Sequence, residues 1–227
     1  MLCLVTDRRR LAPVRGTSDP GAEAMLDQIA EAAAAGLDLV QIREPDLEAG
    51  ALAALVARAV AVVRGTRTRI LVNERADVAL AAGAHGVHLR AASMDARRVR
   101  ALVPPGFLIG RSVHGAAEAM RVDEEGGVDF LVLGTIFPSA SKPAGHPTLG
   151  LSTLAAVTRR CTVPVLAIGG ITLVSAPAVA RAGAAGVAAI GLFQPVGSRG
   201  EDRAKSLAEI VQDLRVLFDT PAQSSLP

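Results

Sequence analysis

The chain has no tryptophan and no tyrosine, and only 5 phenylalanines among its 227 residues. That leaves no aromatic platform of the kind most single-stranded nucleic-acid binders stack bases on. An excess of one charge is missing too: 24 Lys and Arg stand against 22 Asp and Glu, a net +2 that implies no polyanionic partner. The one dense basic run, Arg8-Arg9-Arg10, is expected to be the solvated face of a loop. There are 2 cysteines, Cys3 and Cys161, far apart in the chain and outside any CxxC pair. Both are expected to be reduced structural thiols. No grouping of Cys, His and Asp has zinc-ligand spacing, so spacing points to no metal site. No apolar run approaches the roughly 18 residues that cross a bilayer, and the short apolar start does not have the form of a signal peptide. The expectation is a cytoplasmic protein with neither nucleic acid nor membrane as a partner.

What is present is apolar mass arranged in a repeat. Hydrophobic residues make up 50% of the chain and charged residues 20%, enough for a large core. Four segments resemble one another: AGLDLVQIR from Ala35, AGAHGVHLR from Ala82, GGVDFLVLG from Gly126 and AGAAGVAAIG from Ala182. Each stops an alanine-rich helical stretch with a glycine and then runs into a short apolar segment that reads as a buried parallel strand. Gly36, Gly83, Gly127 and Gly183 are 47, 44 and 56 residues apart, which is two βα units each time. The gaps hold the missing runs RILVN, FLIGRSVH and PVLAIGG, and LCLVTD opens the chain. Amphipathic helices are expected between them, for instance over Leu47–Arg64 and Leu173–Arg181. Eight such units in this length predict an α/β TIM barrel, with an open doubly wound sheet as the other arrangement. Residues 1–219 are expected to form one domain, with a long first loop at Asp7–Gly21 and a flexible tail over 220–227.

TIM barrels work at the C-terminal ends of their strands, so the strand ends supply the candidate site. Strand two ends in Gln41, Arg43 and Glu44, strand three in Asn73 and Glu74, and strand five in Arg111, Ser112 and His114. The loop after strand six brings Thr135, Ser139, Ser141 and Lys142. Strand seven ends in Gly169 and Gly170, and strand eight in Ile190 and Gly191. Glycines at strands seven and eight let backbone N–H groups approach an anion, so these four residues are expected to bind a phosphate. His114, beside Ser112, is the candidate acid/base group. His88 is expected to be an interior structural histidine, and His85 and His146 are expected at the surface.

From LVTDRR to AIGLF the chain also resembles the thiamine phosphate synthase superfamily. The shared landmarks occur in order: VTDR, QIRE, VNER followed by DVAL, GVHL, TIFPSASKP, VPVLAIGGI and AGAAGVA. The resemblance implies a TIM barrel acting in thiamin biosynthesis on a small phosphorylated thiazole. It leaves oligomeric state open, a homo-oligomer included. One branch, the synthase, joins a pyrimidine diphosphate to a thiazole phosphate with Mg²⁺. Where that branch has a lysine after R-E this chain has Pro45, and its two acidic metal ligands fall on Glu74 and Ser93. Lys142 and Arg43 remain as cations for a leaving diphosphate.

The other branch, the TenI-like thiazole tautomerase, aromatises a thiazole carboxylate phosphate tautomer without a metal or other cofactor. It carries G-R-S-V-H, matched here by Gly110–His114, and its histidine maps onto His114. The expectation is therefore an isomerase with His114 catalytic. Gln41, Arg43, Asn73, Arg111, Ser112 and Lys142 would bind substrate, with either Arg43 or Arg111 on the carboxylate. The synthase, a transferase, is the alternative, and a non-catalytic barrel binding a thiamin-related phosphate is a third possibility.

Overall fold

The computed structural model describes residues 1–11, 14, 16–17, 19–139, 142–143, 145–193 and 205–219. Eight runs rich in Val, Leu and Ile form the strands β1 Leu2–Val5, β2 Leu39–Ile42, β3 Arg69–Asn73, β4 Gly86–Leu89, β5 Leu108–Val113, β6 Phe130–Gly134, β7 Val165–Ile168 and β8 Gly186–Ala189. All neighbours pair in parallel, and β8 returns to β1 to close the barrel. The helices lie between and after the strands: α1 Pro20–Ala34, α2 Ala49–Val62, α3 Ala76–Ala81, α4 Ala96–Arg100, α5 Ala116–Glu125, α6 Gly150–Thr158, α7 Ala176–Arg181 and α8 Leu207–Phe218. This is the TIM barrel expected from the repeat, and an open sheet is excluded by the closure.

Side chains alternate along each strand, so each strand feeds two cores. Leu2, Leu4, Val40, Ile42, Ile70 and Val72 face the helices and belong to the larger cluster. Cys3, Val5, Leu39, Leu71, Phe130, Val132, Leu166 and Ala188 point inward and fill the barrel. Burying a side chain of this size stabilises the fold by roughly 1.5–3 kcal/mol, so this interior is a packed plug rather than a pore. Burial pushes the Cys3 thiol up to about 12, which makes it a neutral packing group as its position suggested.

Two helices are shorter than their apolar patterns. α2 begins at Ala49 rather than Leu47 because Leu47 is drawn into a turn, its amide donating to Glu44 O at 3.2 Å. α7 begins at Ala176 because Thr172 and Ser175 close a hydrogen-bonded turn just before it, and Pro177 then sits in its first turn. The tail expected over 220–227 lies outside the described residues.

Candidate active site at the barrel mouth

The same alternation sorts the strand ends. Gln41, Asn73, His88 and Ser112 point inward above the apolar plug and line a cavity of about 520 Å³. Parallel register sets Asn73 beside His88 and His88 beside Gly110. Gln41 Nε2 donates to Asn73 Oδ1 at 3.0 Å, and His88 Nε2 lies 2.8 Å from Ser112 Oγ. Burial drives the His88 imidazole down to about 4, so it is neutral at ordinary pH. His88 is thus the interior histidine that was expected, and its ring also forms part of the cavity wall.

His114 follows the end of β5 and lines the same cavity. Its amide donates to Glu118 Oε2 at 2.6 Å in the first turn of α5. Its Nδ1 lies 2.8 Å from the carbonyl oxygen of Gly134. A carbonyl only accepts, so Nδ1 must carry the hydrogen. The neutral ring therefore presents Nε2 as a lone pair, the form a proton acceptor needs.

A second hollow of about 310 Å³ opens beside the first, lined by Arg10, Ser139, Gly169, Gly170, Ile190 and Gly191 among others. Gly169 and Gly170 have φ of +100° and +63°. A Cβ on Gly170 would meet the carbonyl of Pro138 at 2.2 Å, so that glycine is required by the protein's own packing. Gly191 differs: a Cβ there would meet nothing within 4 Å. Packing gives no reason for glycine at 191, whereas a ligand approaching the backbone does. A cup floored by backbone and edged by Arg10 suits a phosphate.

Arg111 is not brought to the mouth. It lies between the inward-facing Gly110 and Ser112, so it faces outward, only 8% exposed. Its guanidinium donates to the carbonyls of Met94, Ala91 and Ser93 at 2.9, 2.8 and 3.3 Å, holding the loop after β4. Arg43 and Lys142 do line the large cavity. Ser141 lies outside the described residues. Glu44 is buried and accepts from Thr6 Oγ1 at 2.7 Å and Arg8 Nη1 at 2.9 Å, tying the tops of β1 and β2 together. The basic run is correspondingly not a plain solvated face. Arg8 also grips Asp46 at 2.6 Å, and Arg10 lines both hollows. His85 is half-buried rather than at the surface, its Nδ1 accepting from the Ile70 amide at 3.0 Å; His146 is exposed as expected.

Arg90 directly follows the last residue of β4, where strand alternation gives no signal for its direction. It lines the large cavity, and its Nε and Nη2 both bond the Glu74 carboxylate. Ser93 Oγ donates to the other carboxylate oxygen, which also accepts the Arg90 amide at 3.1 Å. Burial would raise the Glu74 carboxyl, but the bonds from Ser93 and Arg90 outweigh it and hold it below the usual range. These are the two positions that the synthase pattern gives to its acidic Mg²⁺ ligands. Where the synthase pattern has two acidic ligands this chain has one carboxylate, and it is engaged by the Arg90 guanidinium and the Ser93 hydroxyl. Among the described residues no group of three or more His, Cys, Asp or Glu side chains could hold a metal.

The family model described as thiamine monophosphate synthase matches residues 11–193. The chain belongs to the thiamine monophosphate synthase family. Within it, a thiamine-phosphate synthase of Anaeromyxobacter dehalogenans is 44% identical, over 72% of this chain and 74% of that protein. One from Roseiflexus sp. strain RS-1 is 36% identical, over 82% and 75%. Among solved structures, thiamine phosphate pyrophosphorylase from Pyrococcus furiosus superposes with a TM-score of 0.75 at 25% identity, covering 96% of this chain and 95% of that one. Family membership places the chain among enzymes of thiamin biosynthesis. The relatives' names favour the synthase alternative and lend the tautomerase expectation no support, so any preference between them must come from the geometry of the mouth.

Proposed function

We propose that this chain is a TenI-like thiazole tautomerase, an isomerase that moves a proton on a phosphorylated thiazole carboxylate without a metal. One contrast at the mouth carries the proposal. The carboxylate at the end of β3 is spent on Arg90 and Ser93, while Nε2 of His114 is left open to the cavity. The substrate phosphate sits in the cup of Gly169, Gly170 and Gly191 and fixes where the ring lies. Gln41, Asn73 and Ser112 supply polar contacts along the ring edge. Nε2 of His114 takes a proton from one carbon of the substrate, and the resulting imidazolium, held by the Gly134 carbonyl, returns a proton to another. No net charge is left in the site, so no leaving-group cation is required.

Condensation of a pyrimidine diphosphate with a thiazole phosphate is the second reading, favoured by the names of the relatives and by Arg43 and Lys142 at the cavity. The two are separated by assaying the purified protein for both reactions, with Mg²⁺ and with EDTA. The tautomerase reading expects aromatisation unaffected by EDTA and almost no thiamin phosphate. Condensation at ~1 s⁻¹ or faster, the ordinary enzymatic range, would overturn it.

A further inference from the structure

Glu74 is the one described non-glycine residue with a positive φ, +66°. A left-handed glutamate is disfavoured, so its surroundings must hold it there. They do: its amide donates to the carbonyl of His88 at 2.9 Å, and both of its carboxylate oxygens are engaged. The outcome of this arrangement is the position of Arg90. The Arg90 side chain is 70% exposed, a degree at which an arginine is ordinarily mobile, yet two of its nitrogens are pinned on Glu74. A guanidinium has five N–H groups, so the pinned one still offers others to a second anion.

The large cavity is lined by Arg10, Arg43, Arg90 and Lys142 against a single carboxylate, Asp7. Arg10 pairs with that Asp7 at 3.4 Å and borders the glycine cup, which places it with the phosphate. Arg111 is turned away on loop carbonyls. Of the cations left, Arg90 is preorganised, and its strand, β4, pairs with β5, which leads into His114. An already immobilised side chain loses less entropy on binding an anion than a free one.

We infer that Arg90, positioned by Glu74, is the specificity residue for a carboxylate on the substrate ring, so that the mouth selects a phosphate ester carrying that second anion. The inference rests on the tautomerase reading, and it replaces Arg43 and Arg111 in the carboxylate role.

The test is calorimetric titration with two aromatic probes, the thiazole phosphate with a ring carboxylate and the same compound without it. The wild type should prefer the carboxylated probe. Arg90→Gln should weaken that probe by roughly 10- to 100-fold, the range for a charged hydrogen-bonded pair, and shift the other by less than about 3-fold. Arg90→Lys should not restore the preference, because a point charge cannot bond Glu74 and the ring carboxylate in the same fork. Glu74→Gln, which keeps Arg90 but loosens it, should narrow the preference without abolishing it. A wild type that does not discriminate, a preference that survives Arg90→Gln, or one that disappears only in Arg43→Gln overturns the inference. Discrimination through Arg90 in a protein that does not aromatise the tautomer would instead overturn the tautomerase reading and leave the carboxylate site standing.

Discussion

From β2 to β5 the barrel mouth is made of side chains, and from β6 to β8 it is made largely of backbone. On the first side Gln41 bonds Asn73, His88 meets Ser112, and Glu74 is saturated by Arg90 and Ser93. On the second side Val132, Ile168 and Ile190 continue the apolar interior, and the polar surface comes from glycine-rich turns. A backbone cup takes its polar groups from no side chain, so replacements away from its glycines leave those groups in place. A side-chain wall can be re-paired one substitution at a time. The second side is therefore where we propose a constant phosphate handle, and the first is where the chemistry of a family can diverge on an unchanged barrel.

Three experiments would break or sharpen that contrast. The largest effect is expected at the junction, where His114 of the β5 side leans on the Gly134 carbonyl of the β6 side. His114→Asn removes the titratable group, so aromatisation should slow by roughly 10²–10⁴-fold. Binding of the aromatic product should hardly change, because the proposed phosphate cup is elsewhere. Wild-type turnover by the variant, measured by single-turnover kinetics, would return His114 to a packing role.

Next in size is the acid sensitivity of the side-chain wall. His88 is depressed to about 4 in the folded protein and titrates near 6.5 when unfolded. Between those values only the unfolded chain takes up the proton, so stability falls as pH drops through this window and the loss is complete below it. Folded and unfolded values this far apart correspond to about 3 kcal/mol. Urea unfolding at pH 7 and pH 4 should show that loss in the wild type and a flatter profile in His88→Gln. His85, also lowered by burial, adds a change of the same sign to both proteins. Parallel profiles would mean that His88 does not pass from neutral to charged on unfolding.

The smallest effect should come from the backbone side. Gly170 is a poor place to test the cup, since any side chain there strains φ and strikes Pro138. Gly191→Val changes only the open space above the cup. It should weaken a phosphorylated thiazole by roughly 10-fold, about one charged hydrogen bond, while leaving the corresponding alcohol nearly unaffected. Equal losses for both compounds would place the phosphate elsewhere.

The barrel was legible because its evidence repeats. Four glycine stops, each followed by an apolar run, mark alternate strands, and the other four must fall in the intervals. The site was legible only as far as strand ends can be located. Arg111, Ser112 and His114 look like one cluster in the chain, but a pleat sends neighbours to opposite faces, and Arg111 leaves the cavity for that reason alone. Arg90 lies beyond the end of its strand, where alternation no longer predicts direction. Its place depends on a left-handed turn at Glu74 that a glutamate does not advertise. The role of Arg8 depends on Glu44 and Asp46, 36 and 38 residues away.

The contact between His114 and the Gly134 carbonyl also bears on stereochemistry. With Nδ1 committed to a carbonyl, a proton taken up at Nε2 has no second exit through the ring. It must depart by the nitrogen through which it entered. A single nitrogen fixed on one side of a planar ring can lift and return hydrogen only from that side, so the rearrangement would be suprafacial. Part of a deuterium label placed at the acidic carbon would then reappear in the product rather than in water, in proportion to how far transfer outruns exchange of the imidazolium with solvent.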